Sequence, residues 1–587
     1  MHQPKTVRKL IAGRPYMPLA ALLLVLLQAA LGVAEVLVLE RFVDGFSGFQ
    51  WHRSVLFAVM LAGMYAFRYI QAPLLDYLKN GIRLQVRAHL DREIIEKTAR
   101  ITAAALEDTD NQALLNRLQD KPENRYVDGF FAILQIMGGA LETAGIFALV
   151  MGSVPFFLPV ILLLLGLMAV AFRLIGKSRG TMYRTRQEIG RRSDYLSGLL
   201  FERRLAQEKK LFGYTRYIQA LYEEENIQSG RQMLGSVFFV NAVLWVYDNI
   251  TYLFSASAYL LFLIPLYRGT INIGLYIAII PALTRLGAFF VTVGSSYLPT
   301  YQAYRACLAD MGKLYALPEQ WYDHRETVPT DSAPVFHVIR GENVVFAYPG
   351  QEKPVLDGLS FTFEAGKNYA LVGENGCGKT TLIKLLMGFY RPQSGIITID
   401  GEDIQEMEFG RLQRFFSAVF QDANRYEYTI KENIRISALG EEAQNSEMRR
   451  TAREAELDSW ISSCADAYDT RLGQLEEGGV DLSGGQWQRL SIARMLYRKA
   501  GIYIWDEPTA AMDPLAESRL YTDFLQKRSA NCANIFVTHR LGAAVSADEI
   551  CVMENGRFVE QGSHAQLMQH ADGLYCRMFQ AQKGMYE

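Results

Sequence analysis

The stretch Gly373-Glu374-Asn375-Gly376-Cys377-Gly378-Lys379-Thr380, followed by Thr381, has the spacing G-x-x-x-x-G-K-[ST] of a phosphate-cradling loop. The apolar run Tyr369-Ala370-Leu371-Val372 precedes it and Leu382-Ile383-Lys384-Leu385-Leu386 follows, so the loop falls between a strand and a helix. Glycines let backbone N–H groups wrap a polyphosphate at a helix N-terminus, where the helix dipole favours negative charge. From such a loop Lys379 reaches the β- and γ-phosphates, and the Thr380 hydroxyl is placed to bind Mg²⁺.

Two further stretches extend this chemistry. Ile502-Tyr503-Ile504-Trp505-Asp506-Glu507 is an apolar strand ending in two carboxylates. In isolation such a pair reads as a solvated turn. Beside a phosphate loop, Asp506 is placed to hold Mg²⁺, mostly through water, and Glu507 to polarise the attacking water as general base. Leu482-Ser483-Gly484-Gly485-Gln486 precedes the helical run Trp487-Gln488-Arg489-Leu490-Ser491-Ile492-Ala493-Arg494. A serine and two glycines before a helix form a second anion cradle. One ATP per chain does not need two cradles. Ser483, Gly484, Gly485 and Gln486 are therefore expected to close, in a head-to-tail dimer, on the γ-phosphate held by the partner's Lys379. An ordinary N-capped helix is the plainer alternative.

These residues need an α/β frame. Past Pro318, short β-rich runs separated by Gly and Pro alternate with amphipathic helices, which predicts a largely parallel sheet. The preceding chain is of another kind. Of 587 residues, 50% are hydrophobic and 21% charged, and the long apolar runs fall in the N-terminal half. A bilayer crossing needs about 20 mostly apolar residues, and six stretches qualify: 18–39, 55–75, 129–153, 154–174, 237–266 and 271–298. The expected fold is a multi-domain membrane protein. An all-α, six-helix transmembrane domain spans 1–318, a linker 319–334, and an α/β P-loop nucleotide-binding domain 335–587. The first stretch follows Lys5, Arg8, Lys9 and Arg14, but it outruns the roughly 7–15 apolar residues of a signal peptide and reads as a retained span.

Positive charge orients the chain. Arg83, Arg87, Arg92, Lys97 and Arg100 follow span two, and Arg184, Arg186, Arg191 and Arg192 follow span four, whereas the loop between spans five and six offers only Arg268. The positive-inside rule puts the N-terminus and the nucleotide-binding domain in the cytoplasm of a multi-pass cell-membrane protein. Both basic loops carry apolar residues at helical spacing, as in Tyr195, Leu199, Leu205, Leu211 and Phe212. Two antiparallel helices of about 25 residues would project roughly 35–40 Å; a separate small helical domain in each loop is the alternative. A net charge of −2 points to no nucleic-acid partner. Cys307, Cys377, Cys464, Cys532, Cys551 and Cys576 have no paired-ligand spacing and read as free thiols.

With its three phosphate-site motifs the chain resembles the ABC transporter superfamily along its whole length. Six spans followed by one nucleotide-binding domain resemble the exporter-type (type IV) half-transporters. The resemblance implies further site residues. Tyr348 in Val345-Phe346-Ala347-Tyr348 matches the aromatic that stacks on adenine, and Gln421 the Q-loop glutamine that senses Mg²⁺ and the membrane domain. Asp513 in Ala511-Met512-Asp513 matches the D-loop, and His539 in Val537-Thr538-His539-Arg540 the switch histidine that contacts the γ-phosphate. The family's Gly-Glu-Arg-Gly stretch reads Glu476-Glu477-Gly478-Gly479 here, with the acid kept and the arginine missing. Trp487 resembles a branch that includes lantibiotic-type peptide exporters. The short segment before the first span leaves no room for a leader-cleaving peptidase. The family's two coupling helices are matched near 108–118 and 208–218, where Lys209-Lys210-Leu211-Phe212-Gly213 resembles the second.

The resemblance implies ATP with Mg²⁺, a second half-transporter as partner in a homodimer or heterodimer, and the lipid bilayer. It also implies ATP-driven efflux of a small-molecule, peptide, drug or lipid-like amphiphile. A regulatory membrane ATPase that moves nothing, or an importer using the exporter fold, is the alternative; intact Glu507 and His539 weigh against the former. Charges inside spans are costly. Glu142, Asp248 and Arg285, with Glu35 and Arg68 nearer the ends, either line the pathway or form internal ion pairs.

Overall fold

The computed structural model describes residues 16–153, 192–193, 195–202, 205–320, 333–438, 445–507 and 531–583. The expectations for 154–174, Arg184, Arg186, Arg191 and Asp513 lie outside these residues. The chain divides into two compact units, Met1–Thr98 with Ala113–Ala316, and Ala99–Gln112 with Leu317–Glu587.

The N-terminal part is helical: α1 (Tyr16–Ser47), α2 (Trp51–Arg100), α3 (Ala103–Glu107), α4 (Thr109–Gln119), α5 (Pro122–Ser153), α6 (Ala206–Phe212), α7 (Thr215–Tyr267), α8 (Ile273–Thr292) and α9 (Leu298–Ala316). A π-helical turn, Val293–Tyr297, joins α8 to α9. Among the described residues four helices are long and apolar enough to cross a membrane: Tyr16–Ser47, Trp51–Arg100, Pro122–Gly152 and Ile273–Ala316. The fifth expected stretch lies within α7, where the shorter apolar segment is Val237–Ile250, so the count of six is not reached among the described residues. Helices α2 and α7 have 50 and 53 residues. At 1.5 Å per residue they run about 75–80 Å, more than twice the roughly 30 Å of bilayer hydrocarbon. Arg83 to Arg100 thus continue the second span's own helix, and 215–236 the fifth's, rather than forming separate helical domains.

Glycine and charge hold this first unit together. Gly138 and Gly145 of α5 face Val25 and Val33 of α1, and Gly139 faces Phe289 of α8; a Cβ at any of the three would strike its neighbour. Small residues let helices close where lipid offers no hydrophobic drive. Gly32 of α1 makes room for the Glu142 carboxylate. Glu35, 5% exposed, pairs with Arg285, which also lies 4.0 Å from Glu142, and Arg68 lies 4.0 Å from Glu35. These groups are internal ion pairs, and three of them, Arg68, Glu142 and Arg285, also line a cavity of about 220 Å³ with Gln28, Gln135 and Thr143.

The second unit holds two sheets. Strands β1 (Val338–Phe346), β2 (Leu356–Glu364), β3 (Asn368–Val372), β4 (Ser394–Ile399), β5 (Glu402–Asp403), β6 (Phe416–Val419), β7 (Ile502–Asp506), β8 (Ala533–Val537), β9 (Glu549–Glu554) and β10 (Arg557–Gly562) form a four-stranded antiparallel sheet, β2-β1-β4-β5, and a six-stranded one, β10-β9-β3-β8-β7-β6. The second is parallel except for β10. Its strands β3 and β8 are buried at every residue, as expected of parallel strands covered on both faces. Alternation sorts the faces. Leu371, Ile504 and Ile535 pack with Leu382 and Ile383 of α10 (Lys379–Leu386). Trp505 and Phe536 face Trp487 and Leu490 across the sheet. The remaining helices are α11 (Phe409–Phe415), α12 (Ile430–Arg435), α13 (Asn445–Glu454), α14 (Asp458–Ser463), α15 (Gly484–Tyr497), α16 (Leu541–Ala544), α17 (His564–Leu567) and α18 (Leu574–Lys583).

Of the two stretches expected as coupling helices, 108–118 falls on α4, with α3, a short helix of the second unit, just ahead of it. The stretch 208–218 begins on α6, which ends at Gly213, at φ 65, whose N–H donates to the Lys209 carbonyl. No α6 residue is buried, and Leu211 and Phe212 are 78% and 68% exposed.

Removing one partner of a buried ion pair leaves a stranded charge that costs about 3–5 kcal/mol. Arg285→Gln is therefore expected to lower the unfolding temperature of the purified full-length protein. Adding Glu35→Gln should recover most of the loss; a double variant as unstable as the single one would show that the pair contributes nothing.

Candidate nucleotide site

The carboxyl ends of parallel strands are where open α/β sheets gather ligand groups, and the register fixes which residues meet here. Leu371 of β3 pairs with Val537 of β8, Val537 with Asp506 of β7, and Trp505 with Val419 of β6. Just beyond those positions come Gly373, His539, Glu507 and Gln421. Four segments scattered over 170 residues of chain thus end at one edge of the sheet.

The loop from Gly373 to Gly378 has the backbone that only glycine accepts. Gly373, Gly376 and Gly378 stand at φ 152, 81 and 112. A Cβ on Gly373 would run into the Met553 carbonyl, and one on Gly378 would lie 2.7 Å from Leu356 Cδ2. Glu374, Asn375 and Gly376 are exposed. Lys379, 5% exposed, donates to the carbonyls of Gly373 and Glu374, each at 2.9 Å, and lies 3.7 Å from Cys377 Sγ. Burial pushes the Cys377 thiol up despite that ammonium, so it is no ready nucleophile.

Thr380 Oγ1 stands 3.4 Å from Asp506 Oδ1. Asp506 is 3% exposed; burial first, and then the neighbouring Glu507 carboxylate, push its carboxyl up to about 6. A hydroxyl and a desolvated carboxylate beside a glycine cradle suit a hard divalent cation with phosphate oxygens, so these residues fit Mg²⁺ with ATP. Glu507 carries φ 49 in a non-glycine residue, a strained conformation of the kind that clusters at functional sites. Its N–H donates to the Val537 carbonyl at 3.1 Å, and its carboxylate meets His539 Nε2 directly. Tyr348 joins through its hydroxyl, 3.1 Å from Thr381 Oγ1.

Ser483, Gly484, Gly485 and Gln486 are not brought to this edge by any of these contacts. Ser483 caps α15 in a reciprocal box with Gln486: the Gln486 N–H reaches Ser483 Oγ at 3.3 Å, and the Ser483 N–H reaches Gln486 Oε1 at 2.9 Å. Trp487 and Leu490 pack in a different core from that beneath the phosphate loop. In the stretch lacking its arginine, Glu476 pairs with Arg471, and Glu427 accepts the N–H groups of Gln474 and Leu475 at 2.8 and 2.7 Å.

Some supporting residues carry no motif. Gln582 of α18 donates to the His539 carbonyl and accepts the Leu541 N–H at 2.9 Å, fixing the turn that presents His539. Lys384 and Tyr390 flank the Tyr348 ring, and Glu107, from a distant segment, accepts from both. Nothing in their spacing marks them, because their relation exists only once the chain is folded.

Residues 356–510 match the ABC transporter family. The chain is 26% identical over 594 residues to the subtilin transport ATP-binding protein SpaT of Bacillus subtilis, covering 99% of this chain and 94% of that one. It is 33% identical over 374 residues to the mitochondrial iron-sulfur clusters transporter ATM1 of Chaetomium globosum, covering 63% of this chain and 59% of that protein. A solved bacterial Atm1-family ABC exporter with ATP bound superposes with a TM-score of 0.76 at 23% identity, over 96% of this chain and 99% of the other.

A carboxyl that titrates near 6 when folded, against about 3.9 unfolded, costs stability above pH 6, and the cost fades as pH falls toward 4. Asp506→Asn is expected to stabilise the nucleotide-free full-length protein by about 1–3 kcal/mol at pH 7.5 and by roughly half that at pH 5. Thermal unfolding at the two pH values tests this. An equal gain at both would assign the effect to packing and not to charge.

Proposed function

Because the chain is an exporter-type half of an ABC transporter that couples ATP hydrolysis to efflux across a membrane, we propose that two such halves work as a dimer and carry an amphipathic peptide outward across the cell membrane. The observation that carries the catalytic reading is the Glu507–His539 pair standing beside Asp506 and Thr380 at the mouth of the phosphate loop. Domain limits of 1–318 and 335–587 around a linker at 319–334, with the N-terminus and the nucleotide-binding domain cytoplasmic, belong to the same reading.

In it, Lys379 and the backbone N–H groups from Gly376 to Thr381 hold the β- and γ-phosphates. Thr380, Asp506 and Gln421 would hold Mg²⁺, which when bound offsets the charge of the phosphate oxygens. Glu507 takes the proton of the attacking water, and His539 holds the Glu507 carboxylate toward it. Tyr348 stacks on adenine. The capped N-terminus of α15 is a ready anion site, and its place in a core apart from the phosphate loop supports service to the partner's nucleotide. Asp513 keeps its D-loop assignment at that dimer face.

For the substrate, the membrane unit's cavity presents both charge signs, amides and hydroxyls beside Val25 and Phe289. That chemistry suits a chain with apolar side groups and polar backbone better than a plain hydrocarbon. The subtilin relative and Trp487 point the same way.

Glu507→Gln should keep ATP binding and lose nearly all hydrolysis; near-normal turnover would remove Glu507 as the base. Gly484→Asp should abolish hydrolysis and spare ATP binding, since a carboxylate facing the γ-phosphate in a desolvated dimer site costs several kcal/mol. In inside-out vesicles, an amphipathic peptide should accumulate only with ATP and the intact Glu507. Accumulation of a lipid-like amphiphile instead would overturn the peptide assignment.

A further inference from the structure

Residues Ala99–Gln112 run from the end of α2 through α3 into the start of α4, and they belong to the second unit. The reason is a set of backbone bonds. The Thr102 N–H donates to the Pro318 carbonyl at 3.1 Å and the Gln320 N–H to the Arg100 carbonyl at 2.7 Å, around an antiparallel bridge between Ile101 and Glu319. Thr102 caps α3 through its hydroxyl, and Ala104 packs on the core that holds α10. A five-residue helix cannot hold itself together in water; here its placement comes from those contacts, and they aim its last residue, Glu107.

The Glu107 carboxylate accepts from the Tyr390 hydroxyl, and from Lys384 Nζ at 3.0 Å. Burial would raise the Glu107 carboxyl, but the bonds from Tyr390 and Lys384 outweigh it and hold the group below its ordinary value, so it is a carboxylate at neutral pH. Lys384 belongs to α10, five residues beyond Lys379. Its ammonium lies 5.6 Å from the Tyr348 ring centre and 5.7 Å from that of Tyr390. The two rings meet edge to face at 5.3 Å and 85°, and Tyr390 is 6% exposed. Tyr348 is thus fixed at its hydroxyl by Thr381 and along its ring by Tyr390, with Lys384 set across both rings and Glu107 holding the two partners.

We propose that Glu107 is a positioning residue for the nucleobase: by fixing Lys384 and Tyr390 it sets the ring of Tyr348 against which adenine packs, so the segment between α2 and α4 governs how tightly ATP is held. The inference rests on the reading of Tyr348 as the adenine platform. Charge-assisted hydrogen bonds are stronger and shorter than neutral ones, and a ring held by a cation and a neighbouring ring loses little freedom when a base stacks on it. Without the carboxylate, Lys384 and Tyr390 lose their shared partner, the Tyr348 ring is freed, and base binding weakens. The phosphate loop keeps its own contacts, because Lys379 is held by Gly373 and Glu374.

The test uses the full-length protein in lipid nanodiscs and two probes: ATP, and inorganic tripolyphosphate, which engages the phosphate loop without a base. Glu107→Ala should raise the Kd for ATP by about threefold to tenfold and leave that for tripolyphosphate within about 1.5-fold. Glu107→Gln, which keeps an acceptor for Tyr390 and loses the charge facing Lys384, should fall between. Tyr348→Ala should show the same base-selective loss, and adding Glu107→Ala to it should cost nothing more. Equal weakening of ATP and tripolyphosphate in Glu107→Ala, or no weakening of either, would overturn the inference. A base-selective loss in Tyr348→Ala but not in Glu107→Ala removes this inference alone, while its absence from Tyr348→Ala removes the adenine reading as well.

Discussion

Two carboxylates, Asp506 and Glu507, stand side by side at the end of a strand buried on both faces. Such a pair repels itself, and Asp506 is also cut off from water. Its surroundings answer that constraint. Thr380 and Lys379 face Asp506 from the phosphate loop, and His539 meets Glu507 from the neighbouring strand end. Gln582 in turn secures the His539 turn from the C-terminal helix. The site is therefore a charge imbalance that the fold holds in place, and a cation carrying polyphosphate would offset it.

The membrane unit solves a similar problem in a drier setting. Glu35, Glu142, Arg68 and Arg285 come from four different helices, and each charge is tolerable only because an opposite one is near. The glycines of α5 allow that closeness, since their missing side chains let α1 and α8 approach. Because Arg68, Glu142 and Arg285 also line the cavity, the same groups that hold helices together present charge to whatever enters. Structural pairing and a role in the pathway are not exclusive here.

Helix α3 is too short to form alone, and it is capped by Thr102 and held by 317–320 within the second unit. It brings a carboxylate to Lys384 and Tyr390, the two groups that flank Tyr348.

The phosphate loop, the paired acids, the serine-capped helix start and the long apolar runs were legible in the sequence, because each depends on residues close together in the chain. Glycine where a backbone must take positive φ, an apolar strand ending in acids and twenty apolar residues in a row are local signals. So too was the α/β class with a parallel sheet, read from runs of β-branched and apolar residues separated by glycine. What the sequence could not set was distance between segments. The register β3-β8-β7-β6 brought Gly373, His539, Glu507 and Gln421 to one edge, and helix continuation, not a separate domain, made the long loops. Packing made the short helix at 103–107 part of the second unit. Glu107, Lys384, Tyr390 and Gln582 carry no motif, since a lone charge or ring is ordinary in a chain of this composition. Their roles arise where contacts between residues tens to hundreds of positions apart are made, and only the tertiary structure decides those.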